Sequence, residues 1–211
     1  MERLTLRDEL YLLAHDDRGA PGIHAGSLSI GLAGAALIDL VLSRRMALEH
    51  GRLMRRDAAR TNDAIGDWIM AQLSTRNAVR ELRWWITSIA SDIYDRTTGG
   101  LYAKGIITKT VQRKLLGSKV SYVPVNDAVV GPIRAMAWYA LQGRERPDEQ
   151  GAALCSLIGV LRLEDSLIVS VPQAELRAAL RKMQGYHTPA VQEIIAAVEA
   201  LIGEAAMAVY R

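Results

Sequence analysis

Apolar residues cover every side of a helical wheel drawn from Ser27 to Leu42, and Asp39 is the one charged residue in this run. A helix that is apolar all round is buried rather than amphipathic. Ser27, Gly31 and Ala35 are spaced four residues apart, which lets neighbouring helices approach closely along one stripe. A bilayer span needs roughly 20 residues and this run has about 15 apolar positions. The pattern therefore predicts the central packing helix of a folded domain.

The flanking segments carry helical and hairpin patterns. Thr5 to Asp8 resembles a capping box and predicts a first helix through about Ala14. Two short alternating pieces around His50-Gly51 predict a β-hairpin. Further helical patterns cover 67–73, 78–94, 127–143, 149–161, 172–184 and 189–210.

The region between residues 94 and 124 is harder to assign. Thr97-Thr98-Gly99-Gly100 predicts a helix break, after which the helical pattern resumes over 101–107. Thr108 is expected to begin a short basic helix that ends near Leu116, followed by a turn and a strand that ends at Pro124. A helix, a turn and a small hairpin in this order resemble a winged-helix element. The patterns together predict a mainly α, single-domain helical bundle over residues 1–211, with small β-hairpins around a buried central helix.

Cysteine use and the N-terminal pattern bear on the compartment. Cys155 is the single cysteine and lies in an apolar segment, which predicts a core position. One cysteine excludes an internal disulfide and favours a reducing compartment. No signal-peptide pattern precedes the first predicted helix. We therefore expect a cytoplasmic protein, and the excess of arginine over lysine together with the many alanines suggests a bacterial source.

The net charge of +3 is unevenly distributed. The segment from Arg44 to Arg60 holds six arginines against two acids, and Lys104 to Lys119 holds five basic residues and no acid. Such segments indicate an anionic partner, whether nucleic acid, lipid headgroup or acidic protein. Ordinary solvated surface explains them equally well.

Motifs that would indicate catalysis do not stand out. The four histidines include no pair at i, i+4 and none has a cysteine nearby, so the sequence supports no metal site. The closest carboxylate pairs lie beside turns or on helix surfaces, where capping and solvation explain them. There is neither a phosphate loop nor a Gly-x-Ser-x-Gly elbow. We therefore expect a protein that is not an enzyme and has no cofactor.

Several blocks of sequence are similar to the Golgi phosphoprotein 3 family, most strongly over residues 4–125. The matching blocks, in order, are Leu4-Thr-Leu-Arg-Asp-Glu-Leu-Tyr-Leu-Leu13, the run from Ser29 to Leu42, Arg45-Met-Ala-Leu-Glu49, Gly66-Asp67, Leu101-Tyr-Ala-Lys-Gly-Ile-Ile107 and Val123-Pro124. Beyond residue 125 the resemblance depends on the order of helices.

This resemblance implies an all-helical domain with a projecting β-hairpin and no enzymatic activity. Eukaryotic members are peripheral proteins on the cytoplasmic face of a membrane, where they bind phosphatidylinositol 4-phosphate and the cytoplasmic tails of glycosyltransferases. The implied partners are an anionic phospholipid or phosphoinositide membrane surface, protein tails and, through the hairpin, a second copy of the chain.

The resemblance places the lipid-headgroup pocket at His24, Ala33, Ser91, Tyr94 and Arg96. The family's tryptophan falls at His24 and its arginines fall at Ala33, Ser91 and Tyr94, so only the flanking Arg96 keeps a positive charge. Each lost guanidinium–phosphate hydrogen bond is worth roughly 1.5–3 kcal/mol. We therefore expect weakened recognition of this particular headgroup.

The resemblance also implies a membrane-inserting hairpin formed by Arg113, Lys114, Leu115, Leu116 and Lys119. Its two leucines would insert between anionic headgroups while the basic residues attract them.

Three hypotheses follow from these observations. The leading one is a non-catalytic peripheral module that docks on anionic, phosphoinositide-like membranes. The second is a protein-interaction scaffold of the same fold that has lost lipid recognition. A winged-helix DNA-binding protein is the least favoured, because the basic elements contain no recognisable recognition helix.

Overall fold

The computed structural model describes residues 3–57, 59–75, 80–114, 117–167 and 172–208. The chain folds into helices with two antiparallel two-stranded hairpins, which confirms the predicted mainly α class. The elements are α1 (Leu6–Leu13), α2 (Ala25–Leu42), β1 (Met46–Glu49), β2 (Arg52–Arg55), α3 (Ala64–Thr75), α4 (Leu82–Ala103), β3 (Ile107–Lys114), β4 (Gly117–Pro124), α5 (Asp127–Leu141), α6 (Glu149–Leu161), α7 (Gln173–Met183) and α8 (Pro189–Ala208), with 3₁₀ turns at Glu164–Leu167 and Gln184–Tyr186.

Helix α2 is the centre of the hydrophobic core, as its pattern predicts, and it packs against α1, α4, α6 and α8. Its glycines allow two of these contacts. A Cβ at Gly31 would lie 2.6 Å from Leu161 Cδ1 of α6, and one at Gly34 would lie 2.3 Å from Val198 Cγ2 of α8. Among the described segments, α2 is the one helix long and apolar enough to cross a bilayer, and these neighbours enclose it.

The charged residue within α2 caps another helix. Asp39 accepts hydrogen bonds from the backbone N–H groups of Leu6 (2.9 Å) and Arg7 (3.2 Å), which begin α1. Thr5 Oγ1 accepts a further bond from the N–H of Asp8, as the capping pattern predicts. The first turn of a helix has N–H groups without helical partners, so these oxygens satisfy donors that would otherwise be buried unpaired.

The side chain of Arg7 is almost completely buried and links α1 to the loop before α3. Its guanidinium makes a two-fold contact with Asp63 (3.0 and 3.2 Å) and also donates to Asp8 (3.0 Å). Asp8 in turn accepts from Lys104 Nζ at 2.8 Å, at the end of α4. Opposite charges and hydrogen bonds therefore compensate one another where these three segments meet, as buried charges require.

The predicted break in α4 at Gly99-Gly100 is wrong, because the helix continues to Ala103. Each glycine costs roughly 1 kcal/mol of helix propensity, but the buried face formed by Ile93, Thr97 and Leu101 runs across them. Packing of this face outweighs the local preference.

The predicted basic helix from Thr108 to Leu116 is also wrong, and so is the winged-helix element. Residues Ile107–Lys114 form β3, which pairs with β4 from Ile107↔Pro124 to Lys114↔Gly117. β-branched residues are frequent in β3, and they favour strands. Leu115 and Leu116 lie outside the described residues.

The first predicted hairpin is confirmed. β1 and β2 pair from Met46↔Arg55 to Glu49↔Arg52. The two loop residues, His50 and Gly51, both have positive φ (51° and 73°), as a tight two-residue hairpin turn requires. The predicted helices of the C-terminal half correspond to α5–α8, although the 172–184 helix ends in a 3₁₀ turn.

Cys155 lies fully buried in α6, as its apolar segment predicts. Burial raises the pKa of its thiol to about 12, so the reactive thiolate is suppressed at neutral pH.

Candidate functional site

The positions to which the resemblance assigns the headgroup pocket lie in α2 and α4. His24 is the N-cap of α2 and its ring is exposed, with Nδ1 accepting from the N–H of Gly26 at 3.1 Å. Ala33 is completely buried within the same helix. The helix N-terminus therefore presents an imidazole to solvent, and Ala33 contributes packing and no charge.

Ser91 and Tyr94 are one turn apart on α4. Ser91 is exposed, and its hydroxyl donates to the carbonyl of Ser88 at 2.9 Å. The Tyr94 hydroxyl is 2.8 Å from His15 Nε2, and the His15 ring stacks on Tyr11 with centroids 4.1 Å apart. Neither Ser91 nor Tyr94 supplies a positive charge for a phosphate group.

The buried imidazole of His15 explains the role of Tyr94. His15 Nδ1 lies 2.7 Å from the carbonyl oxygen of Tyr11, which can only accept, so Nδ1 carries the proton. Nε2 is then the acceptor for the Tyr94 hydroxyl. Burial lowers the pKa of His15 and outweighs its hydrogen bond to Tyr11. His15, which follows the end of α1, therefore stays neutral and links Tyr11 of α1 to Tyr94 of α4.

Arg96 is directed away from this aromatic cluster. Residues two apart on a helix are separated by about 200° around its axis, and the Arg96 guanidinium lies 4.2 Å from the ring centroid of Trp68 in α3. Arg96 and Tyr94 therefore lie on different faces of α4. The one cation among the five assigned positions is held over an aromatic ring, a cation–π arrangement.

The β3–β4 hairpin displays an apolar pair that sequence reasoning missed. Val111 and Val120 are directly opposite in the register, so their side chains share one face, and they are 57% and 45% exposed. Lys109 and Tyr122 form the neighbouring pair on the same face. The β-branched residues of 107–111 favour a strand, and this is the signal that could have identified the pair.

The base of this hairpin is anchored to the helical core. Tyr122 packs edge-to-face on Tyr102 at the end of α4, with centroids 5.9 Å apart. The loop before α2 also reaches β4, because a Cβ at Gly19 would lie 2.2 Å from the Tyr122 carbonyl oxygen. Gly19 has φ +72°, so both space and conformation favour glycine there. The side chains of Arg113, Lys114 and Lys119 lie outside the described part of the structure.

The arginine-rich segment from Arg44 to Arg60 is partly neutralised by its own acids. Arg45 forms an ion pair with Asp57, and Arg56 pairs with Glu49 at 2.9 Å. Three exposed arginines of the segment have no ion pair within the described ranges, namely Arg44, Arg52 and Arg60. The cationic surface is therefore smaller than the sequence count indicates.

No group of three or more histidine, cysteine or carboxylate side chains that could hold a metal ion occurs within the part of the chain that the structure describes.

The structure is a helical domain built on a buried, glycine-containing central helix, with a β3–β4 hairpin that exposes apolar side chains. The sequence model of the Golgi phosphoprotein 3 (GPP34) family matches residues 6–199, so the chain belongs to that family. The match confirms the resemblance and extends it over the C-terminal helices. This is not a known enzyme family. A comparison with curated proteins found no match.

Proposed function

We propose that the protein is a non-catalytic peripheral module that docks on the anionic cytoplasmic face of a membrane through the β3–β4 hairpin. The observation that carries the proposal is the exposed Val111–Val120 pair on a hairpin whose sequence is rich in basic residues. Membership of the Golgi phosphoprotein 3 family supports it.

The expected membrane affinity is moderate and reversible. Complete burial of a valine contributes about 1.5–3 kcal/mol, so inserting two half-exposed valines contributes about 2 kcal/mol. Basic residues near an anionic surface add about 1 kcal/mol each. Lys109 lies on the same face as the two valines, and Arg113, Lys114 and Lys119 follow in the hairpin sequence. Hydrophobic insertion and electrostatic attraction are therefore both needed.

Recognition in this proposal is electrostatic, with at most a weak preference for phosphatidylinositol 4-phosphate. The positions assigned to its headgroup carry neutral Ala33, Ser91 and Tyr94, while Arg96 lies over Trp68. The exposed imidazole at His24 supplies a hydrogen-bonding ring at the start of α2, where the helix dipole also favours an anion.

Co-sedimentation with vesicles tests the proposal. Wild type is expected to bind phosphatidylglycerol vesicles, to bind more weakly as salt is raised, and not to bind neutral vesicles. Val111→Asp removes an apolar contact and adds a repelled charge, so its partitioning is expected to fall at least about tenfold, equivalent to 1.4 kcal/mol.

Val125→Asp is the matched control for this substitution. Val125 is similarly exposed (53%) but lies five residues beyond Val120, about 16 Å along an extended chain. Its partitioning should stay close to that of wild type. Equal binding by wild type and Val111→Asp, or equal losses in both variants, would contradict docking through this hairpin. Vesicles with phosphatidylinositol 4-phosphate at matched charge measure any headgroup preference.

A protein-interaction scaffold is the second candidate function. It is favoured by the absence of arginine at Ala33, Ser91 and Tyr94, and the exposed valine pair equally suits a protein partner or a second copy of the chain. Two results together would support this candidate. The protein would not bind vesicles, and it would show Val111-dependent binding of an acidic or apolar peptide or Val111-dependent self-association in sedimentation. DNA binding was suggested by the expected winged-helix element, and the basic helix of that element is a strand in the structure.

A further inference from the structure

An open cavity of about 480 Å³ lies between α6, α7 and α8, on elements separate from the hairpin and from the positions assigned to the headgroup. This size is in the range of small-ligand pockets. Ser156 of α6 and His187, which precedes α8, both line it, and Ser156 Oγ is 2.8 Å from His187 Nε2. Two residues 31 positions apart therefore form a polar pair at its wall.

The other ring nitrogen of His187 has no hydrogen-bond partner in the described structure, although it is buried. This nitrogen is closed off from solvent, so the polar group at the cavity wall is the Ser156 hydroxyl in contact with His187 Nε2. Burial lowers the pKa of His187. A hydrolytic Ser–His pair requires a carboxylate that orients the second nitrogen, and no carboxylate bonds to it here. The pair is therefore suited to binding.

The cavity also has a cationic side. Arg177 and Arg181 are one helical turn apart on α7 and both line the cavity, whereas Glu199 is the one acidic residue among its lining residues. The formal charge of the lining is therefore positive. Arginine side chains one turn apart project from the same helix face, and guanidinium groups recognise phosphate and carboxylate oxygens in bidentate fashion.

The remaining wall is apolar, with Leu180, Val160 and Ile195 among its residues. Gly159 lets α6 and α7 approach closely there, because a Cβ at Gly159 would lie 2.7 Å from Leu180 Cδ1. One end of a ligand would contact hydrocarbon while the other met cationic and hydrogen-bonding groups.

We propose that this cavity binds an organic phosphate monoester with a small apolar body. The two guanidinium groups would hold the phosphate oxygens, the Ser156 hydroxyl beside His187 would add a hydrogen bond, and the apolar wall would cover the ester substituent. A phosphate monoester has three non-bridging oxygens and up to two negative charges, which match two arginines better than a carboxylate does. The same chemistry occurs in soluble metabolites and in phosphatidic acid.

Phenyl phosphate is the probe for a first test, monitored by NMR of the His187 ring protons in the full chain. Saturable shifts are expected with phenyl phosphate and none with uncharged phenol. Arg181→Gln should weaken binding about tenfold or more, because it removes a charge-assisted contact. Lys182→Gln makes the same charge change in the same last turn of α7 but lies outside the cavity lining, so its affinity should remain within about twofold of wild type.

Ala196→Phe provides a test that leaves the charge unchanged. Ala196 lines the cavity from an exposed position on α8, so a larger side chain should fill space there without disturbing the core. Loss of phenyl phosphate binding in a variant with wild-type circular dichroism would support the proposal. Failure of the wild-type chain to shift at millimolar phenyl phosphate, or equal losses in Arg181→Gln and Lys182→Gln, would overturn it.

The two sources of the phosphate are distinguished with vesicles of phosphatidic acid and of phosphatidylglycerol, a phosphodiester lipid. A preference for phosphatidic acid that is lost in Arg181→Gln identifies a lipid headgroup. An unchanged vesicle preference, together with loss of phenyl phosphate binding, identifies a soluble phosphate. Val111→Asp should keep wild-type affinity for phenyl phosphate, so failure of membrane docking and failure of this site are separable.

Discussion

Replacing Asp39 with asparagine tests the electrostatics of the polar junction between α1 and α2. The carboxylate accepts two backbone N–H groups, from Leu6 and Arg7, and lines a shallow surface cavity. Burial raises the pKa of Asp39 to about 7, outweighing the nearby Arg7 charge and both hydrogen bonds. Asparagine has nearly the same shape but does not ionise, so Asp39→Asn removes the titration while retaining one amide oxygen as an acceptor.

The sign and size of the effect follow from this pKa. Because the folded-state pKa lies above the ordinary value of 3.8, the native protein holds a proton that the unfolded chain loses as pH rises from about 4 to 7. The free energy of unfolding of wild type should therefore fall over this range relative to that of Asp39→Asn. A pKa of about 7 in place of 3.8 corresponds to a difference of about 4 kcal/mol in the free energy of unfolding. Asp39 is partly exposed, so we expect a change of about 1–4 kcal/mol.

Urea unfolding of both proteins between pH 4.5 and 7.5 measures this difference. Asp63→Asn is the matched control, because Asp63 contacts the same guanidinium of Arg7. Burial opposes ionisation of Asp63, but the hydrogen bond and charge of Arg7 outweigh it and lower its pKa. Its stabilising contribution is therefore fully present above pH 4 and is lost only below. The difference between wild type and Asp63→Asn should stay constant across the range. A constant difference for Asp39→Asn as well would refute the reasoning.

Three further outcomes follow from the packing. Gly34→Ala should lower the free energy of unfolding by about 1–3 kcal/mol, since its Cβ would approach Val198 Cγ2 to 2.3 Å. If the variant were as stable as wild type in urea, α8 would be able to move away from the added methyl group. Gly99→Ala should raise stability by up to about 1 kcal/mol, because α4 is continuous there and no other described part of the chain comes within 4 Å of the added Cβ. Destabilisation in the same assay would count against a continuous helix. Cys155 should react with a thiol reagent only on unfolding, because it is fully buried with a raised pKa; rapid labelling of the native protein would contradict this.

Much of the helical framework was predictable from local pattern. An all-apolar wheel from Ser27 to Leu42 identifies the central helix, and Thr5 identifies the start of α1 by its cap. The pattern at His50-Gly51 similarly identifies a hairpin. The helix cap and the hairpin turn depend on residues that are close in sequence. The central helix is identified by the periodicity of its apolar positions.

The errors occurred where distant contacts outweigh local preference. Gly99-Gly100 is a plausible break by propensity, but the face that α4 buries continues across it. The segment 107–114 adopts a strand because it pairs with 117–124 along its whole length. Pairing energy and burial in the assembled structure decide such cases.

The sequence by itself determined the helical class of this protein, its central helix and its place in the Golgi phosphoprotein 3 family. Only the tertiary structure decided which polar groups meet, because contacts such as Arg7–Asp63 and Ser156–His187 join segments that are far apart along the chain. Tertiary packing also decided which apolar side chains stay at the surface. Val111 and Val120 are typical core residues by type, and only the position of their hairpin outside the helical core leaves them exposed.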